Sequence, residues 1–283
     1  MTMQELVLLG IKASILGTVF SFGLQAKVTD VLGLARQPSL LLRSFASLFV
    51  VMPAAALLIV GSFNLPPSTS IVLLALAISP IPPLLPKKIG KAGGTANYGL
   101  GLMVLTGIVS VLLVPLLLSL VGRVLDRPLA MSSFALAKVM LTMIVAPLAL
   151  GMLIHARFPE IAARMAKPVL MVSTVVLLLG AAVLIAAMVP RMRTLIGNGT
   201  LWGIVTFIAV GLLSGHVLGG PVEEERSVLA LSSASRHPAI ALAIAQANFP
   251  QQKYLAATIV LYLLVATLIV LPYVRWRRSV ANR

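Results

Sequence analysis

The side chains able to do chemistry in this chain gather at two proline interruptions of otherwise apolar sequence. One reads Ser79-Pro80-Ile81-Pro82-Pro83-Leu84-Leu85-Pro86-Lys87-Lys88, the other Leu231-Ser232-Ser233-Ala234-Ser235-Arg236-His237-Pro238. Arg236 offers a planar fork of donors suited to a carboxylate, sulfonate or phosphate. Lys87 and Lys88 add ammonium groups at the first interruption, and Ser232 and Ser235 add hydroxyls at the second. His237 is the group there that titrates near neutral pH. A proton carrier and a hydrogen-bonded structural histidine are both open readings of it. Thr106 and Ser110, four residues apart, share a helix face. They either line a cavity or bond their own helix backbone. The chemistry these types suggest is the binding of an anion. Nucleophilic catalysis by Ser232 or Ser235 with His237 fits less well. Ser235 and His237 point to different helix faces, and no carboxylate stands by to orient the base.

The acids make the same point by where they fall. The chain has 22 Lys and Arg against seven Asp and Glu, a formal charge of +15. The seven are Glu5, Asp30, Asp126, Glu160, Glu223, Glu224 and Glu225, and none falls inside a predicted membrane span. Lys87, Lys88, Lys138 and Arg236 do. A charge inside a membrane needs a partner. Without a carboxylate, the partner is a backbone carbonyl, a helix C-terminus, water or an anionic ligand. The absence of cysteine excludes disulfides and thiolate metal or redox sites. No Gly-x-x-x-x-Gly-Lys-Ser/Thr loop is present, so nothing indicates ATP coupling. No cofactor, metal site or nucleic-acid partner is expected.

The elements that must position these residues are membrane helices. The chain has 283 residues, 59% apolar and only 10% charged, with a mean hydropathy of +1.07. A soluble domain has about 25% charged residues. Nine segments approach the roughly 20 apolar residues that cross a bilayer. They run about 6–24, 40–60, 70–92, 99–120, 133–155, 168–188, 200–218, 227–248 and 254–274. Lys and Arg in the short loops fall eleven on one side and five on the other. That bias puts the C-terminus in the cytoplasm and the N-terminus outside, in a multi-pass protein of the plasma (inner) membrane. One integral membrane domain, 1–283, is expected, with a first repeat of about 1–130 and a second of about 131–283. The third and eighth segments hold Pro80, Pro82, Pro83 and Pro86, and Pro238. No uninterrupted helix survives the proline cluster. A pair of broken spans in corresponding positions of two halves is a pointer to a transporter site.

Further landmarks run in order along the chain. They are Phe22-Gly23-Leu24, Asp30, Gln37-Pro38, Met52-Pro53, Leu65-Pro66, Ser79-Pro80 and Val114-Pro115-Leu116-Leu117. Then come Ala146-Pro147-Leu148-Ala149-Leu150-Gly151 with His155, Leu179-Gly180-Ala181-Ala182-Val183, and the run from Arg226 to Phe249. In this order and spacing the chain resembles the bile acid:sodium symporter family, including its bacterial members. The resemblance implies an all-α polytopic membrane fold of two inverted repeats, with a panel and a core subdomain. In the core, two broken helices cross near the midplane. It implies secondary transport of an organic anion by alternating access. Most members have ten spans, and the first is expected to be missing here. The positions that hold sodium in sodium-coupled members carry Ser232 and Arg236, followed by His237 and Pro238, while Lys87, Lys88 and Ile89 fall near a second sodium-binding pair. Fixed cations repel sodium, so the family's sodium sites are not expected to operate.

The expected function is therefore a secondary active or facilitative carrier of a small organic anion, embedded in the lipid bilayer. Arg236, His237, Ser232, Ser235, Lys87, Lys88, Thr106 and Ser110 are its candidate ligands. An orthodox sodium-coupled symporter is the alternative within that class. An anion-binding membrane sensor and an intramembrane enzyme are the alternatives outside it.

Overall fold

The structure is a computed structural model and describes residues 3–82, 85–124 and 133–281, which are helices joined by short turns. α1 (Met3–Gln25) turns through 79° into α2 (Val28–Ala35). The Asp30 carboxylate accepts the Lys27 N–H at 2.9 Å and so caps the new helix. Pro38 then opens α3 (Pro38–Ala46), which runs through a π-helical turn (Ser47–Val51) into α4 (Met52–Ser62) as one span. Next come α5 (Pro67–Ile78), α6 (Leu85–Lys91) and α7 (Ala96–Val124). A second continuous span joins α8 (Ser133–Met140), a π-helical turn (Leu141–Val145) and α9 (Ala146–Arg157). The chain ends with α10 (Pro159–Arg193), α11 (Thr200–Leu218), α12 (Glu223–Ala234), α13 (Pro238–Asn248) and α14 (Leu255–Ala281). Proline is the first residue of α3, α5, α10 and α13, where its fixed φ suits a helix start and its missing N–H costs nothing.

Among the described residues, seven helical spans are long and apolar enough to cross a membrane, or eight with the bent pair α1–α2. The count differs from nine because the third predicted segment splits. α5 has 12 residues and α6 only seven, and Pro80 and Pro82 stand between them. Pro83 lies outside the described residues, as do the side chains of Pro86 and Lys87. The predicted boundary between repeats near residue 130 and the acid Asp126 also lie outside them. α10, 35 residues long, extends well beyond the predicted 168–188.

Each π-helical turn has a proline two residues beyond it, Pro53 and Pro147. A proline cannot donate, so the helical ladder shifts register around it. In the first turn the Met52 N–H reaches back five residues to Ser47 O. Leu48 O, the next carbonyl on that register, faces Pro53 and finds no donor there.

α1 lies between α9 and α10. Gly151 sets the closeness of the first pair, since a Cβ there would collide with the Phe20 carbonyl and with Leu24 N at 2.7 Å. α10 is the least covered span and presents Met171, Val172, Leu178 and Leu179 outward, as a lipid-facing helix does. The main buried cluster lies around α5, α11, α12, α13 and α14. α5 packs on α13, and α6 packs on α12. The two broken segments thus meet at their breaks, each first half lying against the other's second half.

Candidate functional site

The meeting point is built from proline-freed carbonyls and one arginine. α5 ends at Ile78, and Pro80 removes the N–H that would close the helical bond to Leu76 O. Leu76 O and Ala77 O therefore face the break with the partial negative charge of a helix C-terminus. Arg236, one residue before His237 at the other break, fills this end. Its Nε donates to Leu76 O at 3.0 Å, and its Nη2 donates to Ala77 O and, at 3.2 Å, to Leu48 O. Leu48 O is the carbonyl that Pro53 leaves without a helical donor. The guanidinium thus collects three acceptors from two segments far from it in the chain, the end of α5 and the first π-helical turn. Only 1% of the residue is exposed.

The main chain is tied as firmly. The His237 N–H is shared between Pro80 O at 3.0 Å and Ser79 Oγ at 3.1 Å. The Tyr262 hydroxyl of α14 accepts from the Arg236 N–H and donates to Ala234 O, both at 3.0 Å. It bridges the end of α12 across the break. Ser47 Oγ and Ser233 Oγ, 2.7 Å apart, link the first π-helical turn to α12. At the far end of α12, Glu223 pairs with Arg277 of α14 at 2.5 Å and with Arg226 at 2.8 Å. Arg277 is itself 3% exposed, and its Nε donates to Ser227 Oγ.

Four buried polar atoms at the second break have no hydrogen-bond partner among the described residues: Ser235 Oγ, Arg236 Nη1, and both ring nitrogens of His237. Because Ser235 Oγ bonds neither ring nitrogen, no serine–histidine pair of the kind nucleophilic catalysis uses is formed.

The structure brings Arg236, His237, Ser235, Pro238 and Pro80 together. Ser232 lies one turn back in α12 and donates to Val228 O at 2.7 Å. Thr106 and Ser110 are buried on α7, where Thr106 donates to Leu102 O at 2.7 Å and Ser110 to Thr106 O. Their neighbours Met103 and Gly107 reach the crossing instead, lining the same small cavity as His237 and Pro80. Lys88 is half-buried on α6, and Lys138 is exposed on α8. The acceptor carbonyls of Leu48, Leu76 and Ala77 and the hydroxyl of Tyr262 were not among the predicted site groups. Counting four residues back from Pro80 and five from Pro53 finds two of those carbonyls.

Two larger cavities have neither Arg236, His237 nor Pro80 in their lining. One of about 340 Å³ is apolar, lined among others by Leu65, Ile71, Leu74, Leu118, Ile244 and Phe249. The other, about 520 Å³, lies between α2 and the start of α7 and includes Asp30, Glu225, Gln37 and Asn97. Its carboxylates make it a poor place for an anion.

A family model described as "Sodium Bile acid symporter family" matches residues 14–197. The match takes in α5, α6 and the proline break and ends before Arg236. No curated protein matches the chain.

Proposed function

The chain belongs to the sodium bile acid symporter family, and from that premise we propose that it carries a small organic anion across the membrane by alternating access, without sodium. It is an integral multi-pass membrane protein of a transporter family. In this reading α1, α8, α9 and α10 form a panel against which the crossing helices rock. The repeats run about 1–130 and 131–283, with the N-terminus outside and the C-terminus in the cytoplasm. The substrate's anionic group meets Arg236 Nη1, Ser235 Oγ and His237, the unpartnered donors of the second break. Lys87 and Lys88 on α6 add positive potential on approach.

One observation supports sodium independence above all. The Arg236 guanidinium already sits on the carbonyls that would otherwise attract a cation to the crossing. A sodium ion about 4 Å from it would meet a repulsion of about 4 kcal/mol at an effective dielectric of 20. Among the described residues no carboxylate is hydrogen-bonded to Arg236 to offset that.

The test begins with a thermal-shift screen of organic anions, including bile acids, on the purified protein. A ligand of the folded state raises the melting temperature by an amount that grows with the logarithm of its concentration over its Kd. The best hit is then followed into proteoliposomes with sodium replaced by choline. Uptake and counterflow should persist in choline and be lost in Arg236→Gln. Uptake that collapses in choline would instead establish an orthodox sodium symporter. Binding without counterflow would establish a sensor.

A further inference from the structure

His237 is the buried polar group whose chemistry the anion reading does not use up. Its residue is 2% exposed. Its main chain is pinned by Ser79 and Pro80, yet neither ring nitrogen has a partner in another described residue. A structural histidine is held by hydrogen bonds from its ring to other elements, and this one is not. The residue lines a small cavity of about 10 Å³, enough for about one water molecule.

The walls of that cavity come from both of the bodies that would separate in a transport cycle. Val19 of α1, Ile144 of the second π-helical turn and Leu148 of α9 form one side. Pro80, Ile81, and Met103 and Gly107 of α7 form the other. None of these carries a charge or titrates. On its own segment the neighbour is Arg236, whose Nε and Nη2 are committed to carbonyls while Nη1 has no partner among the described residues, and behind that lies Tyr262 of α14 on the Arg236 N–H. Among the described residues no carboxylate lines the cavity. An imidazolium closed in here alone would be a buried charge with no counter-charge, beside a second cation. Such burial costs several kcal/mol. A neutral ring can be closed in, and a protonated ring can be closed in only with an anion beside it.

We infer that His237 is the proton site of the carrier, and that one proton crosses with the anion. The ring takes its proton from water when the seam between α1–α9 and the crossing is open. The seam then closes over an imidazolium–anion pair, opens on the far side and releases both to water. The empty carrier returns with the ring neutral. This rests on the transport reading above, but its central element, a seam whose opening is linked to protonation of His237, is measurable without a substrate.

The chain contains no cysteine, so one introduced at the seam is a clean reporter. Leu148→Cys in the full-length purified protein is reacted with a dithiodipyridine from pH 8 to pH 5, each rate normalised to the unfolded chain at that pH. Protonation of His237 should open the seam. The normalised rate should rise by up to about tenfold per pH unit as the pH falls. His237→Gln should flatten the profile. Val19→Cys and His237→Asn give an independent reporter and an independent replacement if either first variant fails to fold. A flat profile with His237 present, or an unchanged rise in its absence, overturns the proposal. Anion counterflow with a pH-insensitive seam would refute the proton site alone. A pH-linked seam without counterflow of any anion would leave the proton site and refute the carrier.

Discussion

Replacing Arg236 by methionine asks whether its guanidinium holds the crossing together or is kept in reserve for a ligand. Methionine keeps much of the volume and removes every donor. Leu76 O would still receive Ser79 Oγ at 2.8 Å, but Ala77 O and Leu48 O would lose the donor they have in Arg236. A buried acceptor left without a partner costs about 1–3 kcal/mol. Against this stands the relief of no longer burying a charge. With two carbonyls stranded and part of the charge burial recovered, the net loss should be about 2–4 kcal/mol. In a protein of this size 1 kcal/mol moves the midpoint by about 2–4 °C, so a fall of roughly 5–15 °C is expected. The assay is thermal denaturation of the purified protein in detergent, in a buffer free of organic anions. Arg236→Lys should fall between the two, because a single ammonium cannot span acceptors on two segments as a planar fork does. The sign decides the matter. A midpoint that is unchanged or raised in Arg236→Met would mean that the arginine is buried at a cost to stability, and the account of the crossing given above would be wrong.

Two other substitutions probe the surrounding ties. Tyr262→Phe keeps the ring packed edge-on to Phe207 at 6.3 Å between centroids but strips both bonds of the hydroxyl across the break. It should cost about 1–3 kcal/mol, read as a lowered midpoint; an unshifted midpoint would show that the bridge carries no load. Glu223→Gln leaves Arg277 almost fully buried with its main-chain and serine acceptors but without a carboxylate. A loss of about 1–3 kcal/mol is expected, discounted from the fully buried case because the Glu223 side chain is 47% exposed. Removing the stranded charge as well, in Glu223→Gln with Arg277→Met, should recover part of the loss; a further fall would contradict the argument.

Most of the architecture was legible because it follows from composition and proline. Apolar length fixes where spans lie, and the cluster Pro80-Ile81-Pro82 forbids a helix whatever surrounds it. The extent of α10 was underestimated because its ends, Pro159 to Lys167 and Arg191 to Arg193, are polar yet helical. Apolar length does not see a helix continuing past the bilayer. At the site, residue type revealed that Arg236 and His237 were out of place in a membrane. It did not reveal Arg236's partners, which are backbone atoms and carry no residue signature. The hydroxyls of Thr106, Ser110 and Ser232 turned back to their own helices for the ordinary reason that a carbonyl three or four residues away is always within reach. A helix face shows which way a side chain points, and not whether its polar atom is already spent.

The arginine at the crossing also constrains how the protein is made. Its acceptors at Leu48, Leu76 and Ala77 precede it by 188, 160 and 159 residues. An arginine at the centre of an inserting helix costs about 2.5–3.5 kcal/mol, so the segment that carries it enters the bilayer poorly by itself. During synthesis the first half precedes Arg236 in the chain, with the Leu48 carbonyl left without a helical donor by Pro53 and the last carbonyls of α5 standing before Pro80. The earlier half then serves as the receptor for the later one. Stability of the finished fold and efficiency of its biogenesis rest on the same three acceptors.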